Sequence, residues 1–93
     1  MRAYVLINTG NFDTEANAEI VKELLRVSGV QEAYSVFGVY DIIAKVEAET
    51  QDEISKIATG HIRNVNGIKM VLTLLPTEGF YRGENGNRVD VEP

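Results

Sequence analysis

The sequence predicts an α+β fold, a four-stranded antiparallel sheet with two helices on one of its faces. Three observations predict it. Runs rich in β-branched and aromatic residues alternate with two runs of helical period, in the order β-α-β-β-α-β. Residues 30–46 read V-Q-E-A-Y-S-V-F-G-V-Y-D-I-I-A-K-V, two β-rich runs (33–37 and 42–46) around a break at Gly38-Val39-Tyr40-Asp41, which is a hairpin signal. The length, 93 residues, suits one small domain.

The elements follow in order. Residues 2–8 (R-A-Y-V-L-I-N) form a first strand, bounded by Thr9-Gly10-Asn11. Asp13 or Thr14 caps the first helix. Along it Ala16, Ile20, Leu24 and Val27 share a face, with Val21 and Leu25 beside them, while Glu19, Lys22, Glu23 and Arg26 fall outside. Gly29 stands in the C′ place that ends such a helix. The hairpin follows. Its tip carries a glycine, an aromatic and a lone carboxylate, where a plain two-residue turn favours Asn-Gly or Asp-Gly. The tip therefore reads as a site or an interface.

Thr50-Gln51-Asp52-Glu53 is a capping box that starts the second helix, with Ile54, Ile57, Ala58, Ile62 and Val65 as its buried stripe. Gly60 inside it costs up to about 1 kcal/mol against alanine and marks where the helix loosens. Asn66-Gly67 is a turn, and residues 68–75 (I-K-M-V-L-T-L-L) form the fourth strand, stopped by Pro76. Residues 1–76 thus make one domain, and 77–93, with three glycines, two asparagines and no period, an irregular tail. Phe80 and Tyr81 are its candidate clips onto the body, and Val89 and Val91 its candidate edge strand.

This element order is the ferredoxin-like split βαβ arrangement. Two helices cover one sheet face, and a monomer's other face should be polar. It is not. Tyr4 and Leu6 oppose Ala3, Val5 and Ile7, and Met70, Leu72 and Leu74 oppose Val71, Thr73 and Leu75. Only the strand of Ile42, Ala44 and Val46 has a partly polar other face, at Lys45 and Glu47. A second copy packed sheet against sheet is the simplest cover, so a C2 homodimer is expected.

Composition narrows the chemistry. There is no cysteine, which excludes disulfides, a thiol nucleophile and cysteine metal sites, and the single His61 leaves neither a zinc cluster nor a histidine-based triad. No glycine-rich loop opens a helix in phosphate-binding form. No catalytic residue, metal ligand or cofactor is assigned. Fourteen acids against nine bases give a net charge of −5, which argues against direct nucleic-acid binding. No apolar run approaches the roughly 20 residues of a membrane span, and residues 1–4 enter a strand with no signal-peptide core, so a cytoplasmic protein is expected.

Three stretches carry a family resemblance: residues 29–34 (G-V-Q-E-A-Y), the G-V-Y-D of Gly38–Asp41 leading into the apolar 42–46 strand, and N-G-I followed by M-V-L-T-L over 66–74. Through them the chain resembles, over residues 2–76, the effector-binding (RAM) domain of Lrp/AsnC regulators. Because its first strand begins at residue 2, it is most similar to stand-alone members without a helix-turn-helix domain. Phe37-Gly38 replaces the usual Thr-Gly or Ser-Gly and removes one hydroxyl.

The resemblance implies a non-enzymatic regulatory module that binds a small effector, commonly an amino acid. It also implies dimers that associate further, up to octameric rings, and that mix with full-length regulators. It places the effector near the hairpin tip, at Gly38, Val39, Tyr40 and Asp41. Asp41 then has two open roles, pairing with an α-ammonium group or capping its turn. Gly38 serves close approach or the turn, and Tyr40 walls the pocket or packs at an interface. Thr73 donates to a ligand carboxylate or to a cross-strand partner. His61 reads as a structural helix residue. Two rival functions share the element order, a cofactor-free dimeric α+β-barrel enzyme and an ACT-like allosteric domain. For the first, His61 is the one titratable candidate. For the second, Thr9-Gly10-Asn11 hints at the glycine loop.

Overall fold

A computed structural model describes residues 1–11, 13–82 and 88–91. Strand β1 (Arg2–Asn8) leads to helix α1 (Thr14–Leu24), the hairpin β2 (Val30–Ser35) and β3 (Ile42–Glu47), helix α2 (Gln51–Ser55) with its π-helical continuation (Lys56–Ile62), and strand β4 (Met70–Leu74). The antiparallel sheet has the order β2-β3-β1-β4, as the split βαβ pattern requires.

Alternation decides what the sheet buries. Ala3, Val5 and Ile7 of β1, Ile42, Ala44 and Val46 of β3, and Val30 of β2 face the helices and meet Leu24, Ile54, Ala58 and Ile62 in one core. The space between helices and sheet is thus filled with aliphatic side chains. On the outer face Tyr34, Met70, Leu72 and Leu74 are exposed, with Tyr4, Leu6 and Ile43 half-buried among them.

Several boundaries depart from the sequence reading. Strand β2 starts at Val30 rather than Ala33, because Gln31 is a bulge: Val30 opposes Val46 and Glu32 opposes Lys45. The extra residue resets the alternation, so both Val30 and Ala33 face inward. Asp13, not Thr14, caps α1, accepting from the Glu15 amide at 2.9 Å. Helix α1 ends at Leu24, and Gly29 (φ 97°) is not its C′ residue; it sits at the entry to β2. There a Cβ would lie 2.5 Å from Ile57 Cδ1, so close packing against the second helix explains this glycine.

The capping box of α2 is half as expected. Thr50 Oγ1 accepts from the Glu53 amide at 3.1 Å, while Glu53 Oε2 accepts from the Glu49 amide, one residue before the cap. Past Ser55 the helix widens into π turns around Gly60, closed by Arg63 N donating to Ala58 O at 3.1 Å. The Thr59 hydroxyl donates to Ser55 O at 2.7 Å, which diverts a carbonyl from the α ladder.

Strand β4 is shorter than the predicted 68–75 run. The tail is not irregular throughout: β5 (Gly79–Arg82) pairs antiparallel with β6 (Arg88–Val91), with Phe80 opposite Asp90. Val89 and Val91, the candidate edge strand, do lie in β6; what the sequence reading missed is its partner β5, although a five-residue break with glycines is itself a hairpin signal. The side chains of Tyr81, Val89 and Val91 lie outside the described residues. Among the described residues no helix is long and apolar enough to cross a membrane.

Candidate functional site

The hairpin tip is built from both sides of the sheet's end. Val36 N donates to Asp41 O at 2.9 Å and closes the tip, and Asp41 N donates to Ile7 O at 2.9 Å, tying it to the end of β1. Gly38 between them has φ 150°, a conformation side chains disfavour. This path throws Phe37 and Val39 outward, at 102% and 87% exposure.

The Asp41 carboxylate turns back onto the loop after β1. Its Oδ2 accepts from Thr9 N at 2.7 Å and Gly10 N at 3.3 Å, with the Thr9 hydroxyl also 3.3 Å away. Asp41 therefore caps a loop 32 residues upstream rather than its own turn. The Thr9 hydroxyl donates to Asn17 Oδ1 at 2.8 Å, and Asn17 Nδ2 donates to Asn11 O at 2.9 Å. Thr9 and Asn17 are buried polar residues, each 5% exposed, and each satisfies the other, as burial demands.

This network frames a cavity of about 180 Å³ lined by Asn11, Thr14, Asn17, Ser35, Val36, Phe37, Gly38 and Asp41. The lining combines the hydroxyls of Thr14 and Ser35, the amides of Asn11 and Asn17 and the apolar Val36 and Phe37, and among the described residues Asp41 is its one charged side chain. Among the described residues, all of its hydrogen bonds go to Oδ2. An ammonium group beside the other oxygen would donate a charge-assisted hydrogen bond to it.

Of the predicted site residues, Gly38 and Asp41 line the cavity. Val39 and Tyr40 lie at the same tip but outside the lining. Thr73 stands apart, on the helix-facing side of β4 opposite Val5. Sequence reasoning missed Thr9, Asn11, Thr14, Asn17 and Ser35. One signal was present for Asn17: it precedes Ile20, Val21 and Leu24 by three, four and seven positions, so it belongs to the core-facing stripe.

A second polar group lies on the outer face of the sheet. Glu32 accepts from the Tyr34 hydroxyl and pairs with Lys45 at 3.4 Å. These contacts, the Tyr34 hydrogen bond foremost, hold the Glu32 carboxyl below its ordinary range, and the same bond raises Tyr34 above the usual phenol value. Among the described residues no group of three or more His, Cys, Asp or Glu side chains is placed to hold a metal.

A split βαβ domain with a small, partly polar cavity at one hairpin tip has the features of a candidate ligand-binding domain. The chain belongs to the Lrp/AsnC ligand binding domain family, whose model matches residues 2–84. It is 29% identical over 73 residues to an uncharacterized HTH-type transcriptional regulator of Pyrococcus furiosus, covering 78% of this chain and 49% of that protein. The chain thus spans about half the length of the curated regulators it matches. A shorter likeness, 38% over 56 residues, joins 60% of this chain to 12% of the homocitrate synthase of Sulfolobus acidocaldarius.

Among solved structures, a hypothetical protein of Pyrococcus horikoshii matches with TM-score 0.67 and 34% identity, over 78% of this chain and 84% of that one. The regulator NMB0573 of Neisseria meningitidis, solved as an L-Met complex, matches with TM-score 0.65 over 77% of this chain and 46% of that one. At 10% identity the second likeness speaks for the fold alone.

Proposed function

We propose that this chain is the effector-sensing and oligomer-forming part of a regulatory system of Lrp/AsnC type, acting in transcriptional or metabolic control. Its effector is a small molecule with an amine, an amino acid, held at the tip of the β2–β3 hairpin. The observation that carries this reading is the cavity of Asp41, whose lining joins one carboxylate to hydroxyls, side-chain amides and two apolar side chains. The ammonium group goes to Asp41, the carboxylate to the donors of Asn11 and Thr14, and the side chain to Val36 and Phe37. The L-Met complex of the Neisseria regulator, of like fold, supports an amino acid as the class.

Val39 and Tyr40, on the outward side of the tip, serve contacts between copies, and Thr73 a cross-strand role. Binding changes assembly or a partner regulator's activity by favouring one of two states. The assembly is a sheet-to-sheet homodimer that associates further, and a full-length Lrp/AsnC regulator is its protein partner, in the cytoplasm. DNA contact falls to that partner, in keeping with a net charge of −5 here.

A second reading is favoured by the homocitrate synthase likeness. In it the same sensing domain serves an enzyme, as ACT-like domains do. Face-to-face sheet pairing supports the first reading and side-by-side pairing the second. A barrel-type enzyme finds no support, since aliphatic side chains fill the space between helices and sheet.

The test is thermal unfolding at fixed protein concentration against the twenty amino acids. A ligand at a hundred times its dissociation constant adds about 2.7 kcal/mol to the apparent stability. A selective shift, clearly reduced in Asp41→Asn, is expected. Silence across the panel overturns the amino acid assignment.

A further inference from the structure

The π-helical continuation of α2 gives the molecule a second feature, remote from the tip. In an α-helix, with 3.6 residues per turn, side chains five apart point about 140° away from each other. The i→i+5 repeat of π turns brings them towards one line. Lys56 and His61 are five apart, and both line one cavity of about 550 Å³. Arg26 and Ser28 enter it from the chain after α1, and Val27 and Ile57 give it an apolar floor. Its volume falls in the range of roughly 300–1,000 Å³ that small-molecule sites occupy.

The charge of this cavity runs against that of the molecule. In a chain of net charge −5, Arg26 and Lys56 outnumber the one acid of the lining, Glu53, and His61 adds an imidazole donor. The acid beside them, Glu53, has one carboxylate oxygen turned to the Glu49 amide. Glu23 approaches Arg26 only to 3.9 Å, with both side chains mostly exposed, and such a pair holds its partners weakly. A helix C-terminus ordinarily repels anions. At α1, however, the carbonyls of Val21, Glu23, Leu24 and Val27 are taken by amides of residues 25, 26, 27 and 30.

We infer that the groove between the end of α1 and the π segment binds a small organic anion, with its phosphate or carboxylate group at Arg26, Lys56 and His61 and its apolar part on Val27 and Ile57. This site is separate from the hairpin tip and does not depend on the amino acid reading.

The experiment is an amide NMR titration of the full chain with three probes, inorganic phosphate, adenosine 5′-monophosphate and succinate. The expected result is saturable shifts at residues 26–28 and 56–61, with residues 35–41 unmoved. Saturation by the phosphates alone assigns a phosphate ligand, and by succinate alone a carboxylate ligand. The double variant Lys56→Gln/His61→Gln is expected to weaken binding at least about tenfold, the scale of one lost charge-assisted hydrogen bond. Absence of saturable shifts with all three probes, or affinity unchanged in the double variant, overturns the inference.

Discussion

Asp41 anchors the loop after β1 whether or not a ligand is present. Its Oδ2 satisfies the amides of Thr9 and Gly10, and Thr9 is buried. Asp41→Ala strands those donors and should cost about 2 kcal/mol, within the range for hydrogen bonds to charged groups, measured by urea unfolding. Asp41→Asn keeps an oxygen acceptor and should cost under about 1 kcal/mol, while effector affinity falls at least about tenfold with the charge. Equal affinity in Asp41→Asn and wild type would leave Asp41 a purely structural residue. Gly38 and Asp41 were legible in the sequence because a glycine and a lone carboxylate are odd company at an apolar hairpin tip. Thr9, Asn11 and Asn17 were not, because their roles rest on hydrogen bonds between the tip and a loop some thirty positions away in the chain. A linear pattern carries no sign of such a contact.

Among the elements, two glycines separate local propensity from packing. Gly60 lies in the π segment, and a Cβ there meets nothing within 4 Å. Gly60→Ala should raise stability by about 0.5–1 kcal/mol by reducing the freedom of the unfolded chain. Gly29 has φ 97°, and a Cβ would press on Ile57 Cδ1 at 2.5 Å and Glu47 O at 3.2 Å. Gly29→Ala should lower stability by about 1–3 kcal/mol, the range for overpacking and left-handed strain. Unfolding curves of the two variants moving the same way would contradict this contrast. The sequence showed both helices and all four strands of the main sheet, since periodicity and turn residues agreed there. It showed that the second helix loosens at Gly60 but not that it becomes π, because the turn is marked by a backbone bond, Arg63 N to Ala58 O, that leaves no pattern in the sequence. It misplaced the start of β2 because the Gln31 bulge breaks the alternation on which the reading rests.

The whole molecule presents one sheet face to its helices and leaves the other without them. That outer face is divided. Toward the β4 edge it carries Tyr4, Leu6, Met70, Leu72 and Leu74, the last three of them exposed. At the opposite corner it carries the ion pairs Arg2–Glu47 and Glu32–Lys45. Exposed apolar side chains gathered on one face, rimmed by charges, mark an interaction surface. The paired charges balance in sign, so a second copy turned about a two-fold axis meets no excess of like charge. Leu72 opposes Leu6 near the middle of the apolar half. A lysine there stays compatible with the monomer, because β4 is an edge strand and its outer face reaches solvent. In a sheet-to-sheet dimer the same lysine is buried opposite its own symmetry mate's surroundings, at a cost of several kcal/mol for an unpaired ion. Leu72→Lys should therefore run as a folded monomer in size exclusion with light scattering, at concentrations where the wild-type chain runs as a dimer or a multiple of one. A wild-type monomer would remove the dimer, and a Leu72→Lys dimer would move the interface off this face.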